Sequence, residues 1–240
     1  MNGKLIRNGM MILALLAATP SAFAKFYSYS TLQNATDWAG EPVWAKATFD
    51  VSAGQMIVTL TNLEPNIKSI GQDISSLFFT VNNGQSIFSL SGVTLSGKLI
   101  DIGTNGTVTS VGALNNVAVG STGTSTENWS AGQAGSQFYF NDLNGGGQPD
   151  QTIIGPPNSS GSYSSVNSSI YDNSPHNPFI QNQATFTINA PGLLANAMVS
   201  NVLIGFGTAS GDNLKTVPEP GTVALFAIGA LALALRRRTG

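Results

Sequence analysis

The chain has 240 residues, 10 basic and 12 acidic side chains, a formal net charge of −2 at pH 7 and no cysteine. The missing cysteines exclude thiol nucleophiles, cysteine-ligated metals and disulfides, so the fold depends on core packing alone. No arginine occurs between Arg7 and Arg236. Because arginine is the favoured residue for phosphate and base-edge contacts, we expect no nucleic-acid partner.

The first 24 residues have the pattern of a secretory signal peptide. Lys4 and Arg7 give a positive start, an apolar run follows over residues 10–18, and Ala22 and Ala24 supply the small residues of a cleavage site. Cleavage after Ala24 leaves a mature chain that starts at Lys25. The alternative, an N-terminal membrane anchor, is disfavoured because the apolar run is short and is followed by Pro20.

Residues 25–216 are predicted to form one all-β domain. Apolar and polar residues alternate in several runs, which is typical of half-buried strands. The predicted strands are 45–51, 56–61, 77–81, 86–90, 93–100, 107–111, 136–140, 184–189 and 202–206. Turn-forming clusters of glycine and asparagine separate them, and only 193–199 shows a short helical period. Many short strands with regular turns favour a single antiparallel β-sandwich of the jelly-roll type.

Three tryptophans lie in polar or loop-like contexts: Trp38, Trp44 and Trp129. Exposed aromatic rings on β-sandwiches stack against sugars, so these three residues are candidate glycan contacts. The alternative is that they fill the ends and edges of the core, where each needs one polar contact.

The segment Asp142–Asp150 begins with the D-x-N pattern of a calcium loop. It departs from the pattern because Gly146 occupies the fifth position and Ile153 the twelfth, where a bidentate glutamate is expected. A glycine-rich turn explains the same residues, and we predict no metal and no cofactor.

A second segment, 158–169, is almost entirely asparagine, serine and glycine. Two interpretations stay open: a long mobile surface loop, or a loop docked on the sheet by Tyr163 and Val166.

Catalytic patterns are weak. His176 is the only histidine, in a proline-flanked loop with no nucleophile motif of the form G-x-S-x-G. Carboxylate pairs for glycoside hydrolysis are possible, but no spacing singles one out. We expect a protein that is not an enzyme.

The chain ends in three consecutive features, which we treat as a tail over residues 217–240. Val217, Pro218, Glu219 and Pro220 form an extended, proline-stiffened strip. An uncharged apolar run over 222–235 predicts a helix, and the basic cluster Arg236, Arg237 and Arg238 follows it. The apolar run is about 21 Å long as a helix, which is short of the roughly 30 Å hydrocarbon layer. Its terminal position and the arginines nevertheless favour a membrane segment with its C-terminus inside.

This order of features resembles the PEP-CTERM sorting signal of bacterial exported proteins. The resemblance implies an exosortase-type processing enzyme as partner and contact with the inner membrane through the tail before processing. It further implies delivery to the cell surface or extracellular matrix of a Gram-negative, exopolysaccharide-producing bacterium. Two functions are therefore considered: a non-catalytic surface or matrix protein, and a carbohydrate-binding module with the same tail.

Overall fold

The computed structural model describes residues 24–32, 34–84, 88–120, 129–143, 149–171, 176–209 and 213–219. The strands are β1 (Lys25–Thr31), β2 (Ala45–Ser52), β3 (Gln55–Asn62), β4 (Ile74–Asn82), β5 (Gly92–Ile102), β6 (Val108–Val119), β7 (Ser130–Ala134), β8 (Gln137–Asn141), β9 (Ile153–Ile154), β10 (Phe179–Gln181), β11 (Gln183–Asn189), β12 (Met198–Phe206) and β13 (Asn213–Pro218). A single 3-10 turn, Ile70–Gln72, precedes β4.

The strands pair into one hydrogen-bonded sheet. Its order is β12-β13-β1-β2-β3-β11-β5-β10-β9-β4-β8-β7, with β6 paired to β5 and a further pairing between β12 and β4. The pairing of β9 with β10 is parallel, whereas the other pairings between these strands are antiparallel. The last strand, β13, thereby lies beside the first strand, β1.

Alternation along the strands builds the core. Met56, Val58 and Leu60 on β3 are buried, as are Phe186 and Ile188 on β11. These residues belong to the main apolar cluster, in which the rings of Phe140 and Phe186 stack with centroids 4.3 Å apart. A smaller apolar cluster forms beside the main one around Ile100, Ile154, Tyr163 and Phe179, among others.

The all-β prediction is confirmed, and eight of the nine predicted strand segments correspond to observed strands. The exception is 86–90, because residues 88–90 have no strand pairing and 85–87 lie outside the described residues. The helical period at 193–199 was misleading, since 193–197 is irregular and 198–199 already belongs to β12. The two-layer jelly-roll arrangement stays a prediction.

The segment 158–169 is docked rather than detached. Tyr163 is buried in the smaller cluster, Val166 packs against that cluster, and the Tyr163 hydroxyl donates to the Gly155 carbonyl at 2.6 Å. Tyr163 and Val166 therefore anchor a segment whose other residues are asparagine, serine and glycine.

Candidate functional site

Strand β13 connects two parts of the sheet. Its first half pairs with β12, through Asn213 opposite Gly205 and Lys215 opposite Leu203. Its second half pairs with β1, through Thr216 opposite Thr31 and Pro218 opposite Tyr29. The strand thus crosses the boundary drawn at residue 217, because the alternating pattern of the domain and the proline strip of the tail form one continuous strand.

A proline fits this strand because of where its nitrogen points. The Glu219 amide donates to the Ser28 carbonyl at 3.0 Å. Backbone groups of successive residues in a strand point to opposite sides, so Pro218 directs its nitrogen away from β1. The pairing of β13 with β12 ends at Lys215, so the proline at 218 removes no hydrogen bond of that ladder.

The Glu219 carboxylate lies on the outer face of the sheet and accepts three hydrogen bonds. The Ser30 hydroxyl donates to Oε1 at 2.7 Å and the Ser28 hydroxyl to Oε2 at 2.9 Å. The Lys46 ammonium is 3.0 Å from Oε2 and completes an ion pair. We call Ser28, Ser30 and Lys46 the glutamate cradle.

The cradle follows from the alternation on β1. Tyr27 and Tyr29 point inward and are buried, and their hydroxyls donate to the carbonyls of Ala197 and Val199 at 2.9 and 2.6 Å. Ser28 and Ser30 therefore point to the opposite face of β1, where Ser28 is covered and 4% exposed and Ser30 is half-buried. Lys46 lies directly opposite Ser30 on β2, so its side chain reaches the same face.

These donors favour the charged form of the carboxyl. The hydrogen bond from Ser30 lowers the pKa of Glu219 most, those from Lys46 and Ser28 add to it, and partial burial opposes them. At neutral pH the Glu219 carboxyl is therefore ionised, and the positive charge of Lys46 balances its negative charge. Its side chain is 34% exposed, so the interaction is partly screened by water.

A scan of family models matches residues 216–238 to the PEP-CTERM protein-sorting motif. The chain carries a PEP-CTERM sorting motif. Such a motif implies export and membrane-associated processing by exosortase toward the cell surface. The comparisons with curated proteins and with solved structures find no match for this chain.

The motif match begins inside β13, so its first residues belong to the folded domain. Val217 and Pro218 are in the strand, and Glu219 is held by the cradle. The remainder of the PEP-CTERM tail, including Pro220, the apolar run 222–235 and Arg236, Arg237 and Arg238, lies outside the described residues. Among the residues that are described, no helix is long and apolar enough to cross a membrane.

The predicted signal peptide also lies mostly outside the described residues, which begin at Ala24. Ala22 is not described, whereas Ala24 is exposed and directly precedes β1. The first strand thus begins at Lys25, the residue predicted to start the mature chain.

The three tryptophans separate into two groups. Trp129 is fully buried, its ring packs against Phe186 at 5.2 Å, and its indole N–H donates to the Gln151 carbonyl at 2.9 Å. Because the ring is not exposed to solvent, it cannot stack against a sugar, and Trp129 is a core residue. Trp38 and Trp44 are 94% and 51% exposed, as glycan contact requires.

Trp44 lines a cleft of about 410 Å³ together with Leu32, Asn34, Pro42 and Glu64, among others. Burial raises the pKa of Glu64 in this cleft. The half-exposed ring, an amide and a carboxyl are thus placed around one depression.

The remaining polar candidates are buried. Burial, and then the charge of Asp150, raises the pKa of Asp142 well above its ordinary value. Residues 144–148 of that segment lie outside the described residues, and no cluster of three potential metal ligands occurs in the part that is described. His176 is buried with its Nδ1 atom 2.7 Å from the Pro149 carbonyl, as expected for a hydrogen-bonded loop residue.

Proposed function

We propose that the protein is a non-catalytic surface or extracellular-matrix protein of a Gram-negative bacterium. The signal peptide 1–24 exports it, and the apolar run 222–235 holds it in the inner membrane until an exosortase-type enzyme processes the tail. The β domain, which we propose folds as a jelly-roll-like sandwich, then remains at the cell surface in association with exopolysaccharide.

The observation that carries this proposal is the sorting motif at residues 216–238. The chemistry of the domain is consistent with a role that is not catalytic. The only histidine is engaged by a backbone carbonyl, and among the described carboxyls Asp73 and Asp142, whose pKa values burial raises well above the ordinary one, are buried rather than open to a substrate.

The test is fractionation of cells that produce three chains. The parent is expected outside the inner membrane. Replacing Pro218, Glu219 and Pro220 by alanine should leave full-length protein in the inner membrane, because the recognition element is lost. Replacing Arg236, Arg237 and Arg238 by serine should release unprocessed protein, because each arginine resists burial by about 2.5–3.5 kcal/mol. Identical distribution of all three chains would refute the proposed sorting role.

A second function, carbohydrate binding with the same tail, is favoured by one observation. The cleft beside Trp44 combines a half-exposed indole with Asn34 and Glu64, and sugar sites combine an aromatic face with polar groups. Retention on immobilised host polysaccharide tests it. Trp44→Ala should lose retention, whereas Phe26→Ala should keep it because Phe26 is an exposed ring that does not line the cleft.

A further inference from the structure

The glutamate of the sorting motif has a binding site on the protein's own domain. Its carboxylate receives a hydrogen bond from each of two serines and an ion pair from Lys46, and its amide is bonded to Ser28. No linker separates this residue from the fold, because it directly follows the last residue of β13. The motif is therefore presented as part of a sheet.

An enzyme that reads an extended strip needs the same groups. Recognition of a peptide strand uses backbone hydrogen bonds for affinity and side-chain pockets for specificity. In β13 the backbone of Val217 and Glu219 is directed to β1, and the Glu219 carboxylate, the charged group of the strip 217–220, is held by the cradle. The docked motif and an enzyme-bound motif are therefore mutually exclusive arrangements.

The strand is also held weakly enough to leave. Along β13 the apolar contact with the main core comes from Leu214, which is only partly buried, while Val217 and Pro218 are exposed. The Thr216 hydroxyl donates to the Val202 carbonyl at 2.9 Å. Segments with few buried apolar contacts open locally without global unfolding.

We infer that the glutamate cradle competes with the processing enzyme for the sorting motif, so that the tail is processed only while β13 is undocked. The inference rests on the proposed sorting role of the tail. If β13 is undocked in about 1% of molecules, the apparent affinity of the enzyme for the motif falls about 100-fold. The cradle thereby delays processing of molecules whose domain has already folded.

The experiment alters the cradle and leaves residues 216–240 untouched. Pulse-chase labelling in cells with the processing enzyme compares the full-length parent with a Ser28→Ala, Ser30→Ala double variant. The double variant should be processed at least several-fold faster. Thr48→Ala is the matched control, because Thr48 faces Ser28 on β2 but is not one of the three groups that hold the carboxylate, and its rate should equal the parent's.

Hydrogen exchange on the full chain in detergent supplies an independent readout. The Glu219 amide should be protected in the parent and in Thr48→Ala, and at least several-fold less protected in the double variant. Amides of β3 and β11 should stay protected in all three chains. If global folding is lost in the double variant, Lys46→Ala serves as the milder replacement.

Two results would overturn the inference. One is equal processing of the cradle variants and the parent, with the alanine-substituted motif still unprocessed; the sorting role then stands and competition fails. The other is an unprotected Glu219 amide in the parent, which would show that the motif is not docked. If the parent itself is never processed, the sorting role fails, and the competition inference fails with it.

Discussion

Lys46 and Glu219 are 173 positions apart in the sequence, and their charged groups meet 3.0 Å apart on the outer face of the sheet. Lys46 belongs to the second strand of the domain, and Glu219 belongs to the sorting motif. The ion pair therefore joins the β domain to the sorting motif.

The first prediction concerns the titration of Glu219. The pKa of Glu219 should lie below the ordinary value of about 4.3. It should return toward that value in Ser30→Ala, because the hydrogen bond from Ser30 lowers the pKa most. Because the folded pKa is lowered, docking is stabilised above the ordinary pKa and loses this contribution as the pH falls through the folded pKa. Carbon-detected NMR of the Glu219 carboxyl measures its pKa in the parent and in Ser30→Ala. An unchanged pKa in Ser30→Ala would contradict the role given to that hydrogen bond.

The second prediction concerns where the domain ends. The segment 25–219 should be more stable than 25–216 by about 1 kcal/mol, because the longer segment keeps the end of β13 and the partly exposed contacts of Glu219. Urea unfolding of the two segments measures the difference. Equal midpoints would show that the end of β13 does not contribute to the fold.

The same longer segment should fold alone as a β-rich monomer without metal. Its circular dichroism spectrum should be dominated by strand, and EDTA should leave its melting temperature unchanged. A fall of several degrees on adding EDTA would instead show that a divalent metal stabilises the domain, with the segment Asp142–Asp150 as the candidate site.

How much of the fold and of the candidate site can be predicted from the sequence depends on how far apart the interacting residues lie in the chain. The strands β3 and β11 were predictable because alternation within a few residues determines which side chains are buried. The cradle was not, since Ser28 and Glu219 are 191 positions apart and only the pairing of β1 with β13 brings them together. The burial of Trp129 could not be predicted, because its sequence neighbours, Asn128 and Ser130, are polar although the ring itself is buried.

The third prediction separates the tryptophans by stability. Trp129→Ala should destabilise the domain by about 3–5 kcal/mol, because it leaves a large cavity beside Phe186. Trp38→Ala, at a ring that is 94% exposed, should change stability by less than about 0.5 kcal/mol. Denaturant unfolding compares the two variants, and similar losses would contradict the assignment of Trp129 to the core.

The fourth prediction concerns Asp73, which is fully buried and accepts a hydrogen bond from the Thr152 hydroxyl at 3.1 Å. Burial raises its pKa well above the ordinary value, so the folded state binds the proton more tightly than the unfolded state does. Stability is therefore lost as the pH rises from the unfolded pKa of about 3.9 toward the folded one.

Asp73→Asn should remove this loss. Between pH 4 and pH 8 the parent should therefore lose more stability than the variant does. Asp50→Asn, at an exposed position, is the control and should follow the parent. Parallel pH profiles for the parent and Asp73→Asn would contradict the prediction.

The most direct test of the sorting role is the intact mass of the protein recovered from the cell surface. We expect a chain that begins at Lys25 and lacks the apolar run 222–235 with Arg236, Arg237 and Arg238. The alanine-substituted motif should yield no such species. A surface protein that still carries the complete C-terminal tail would contradict the proposed sorting role.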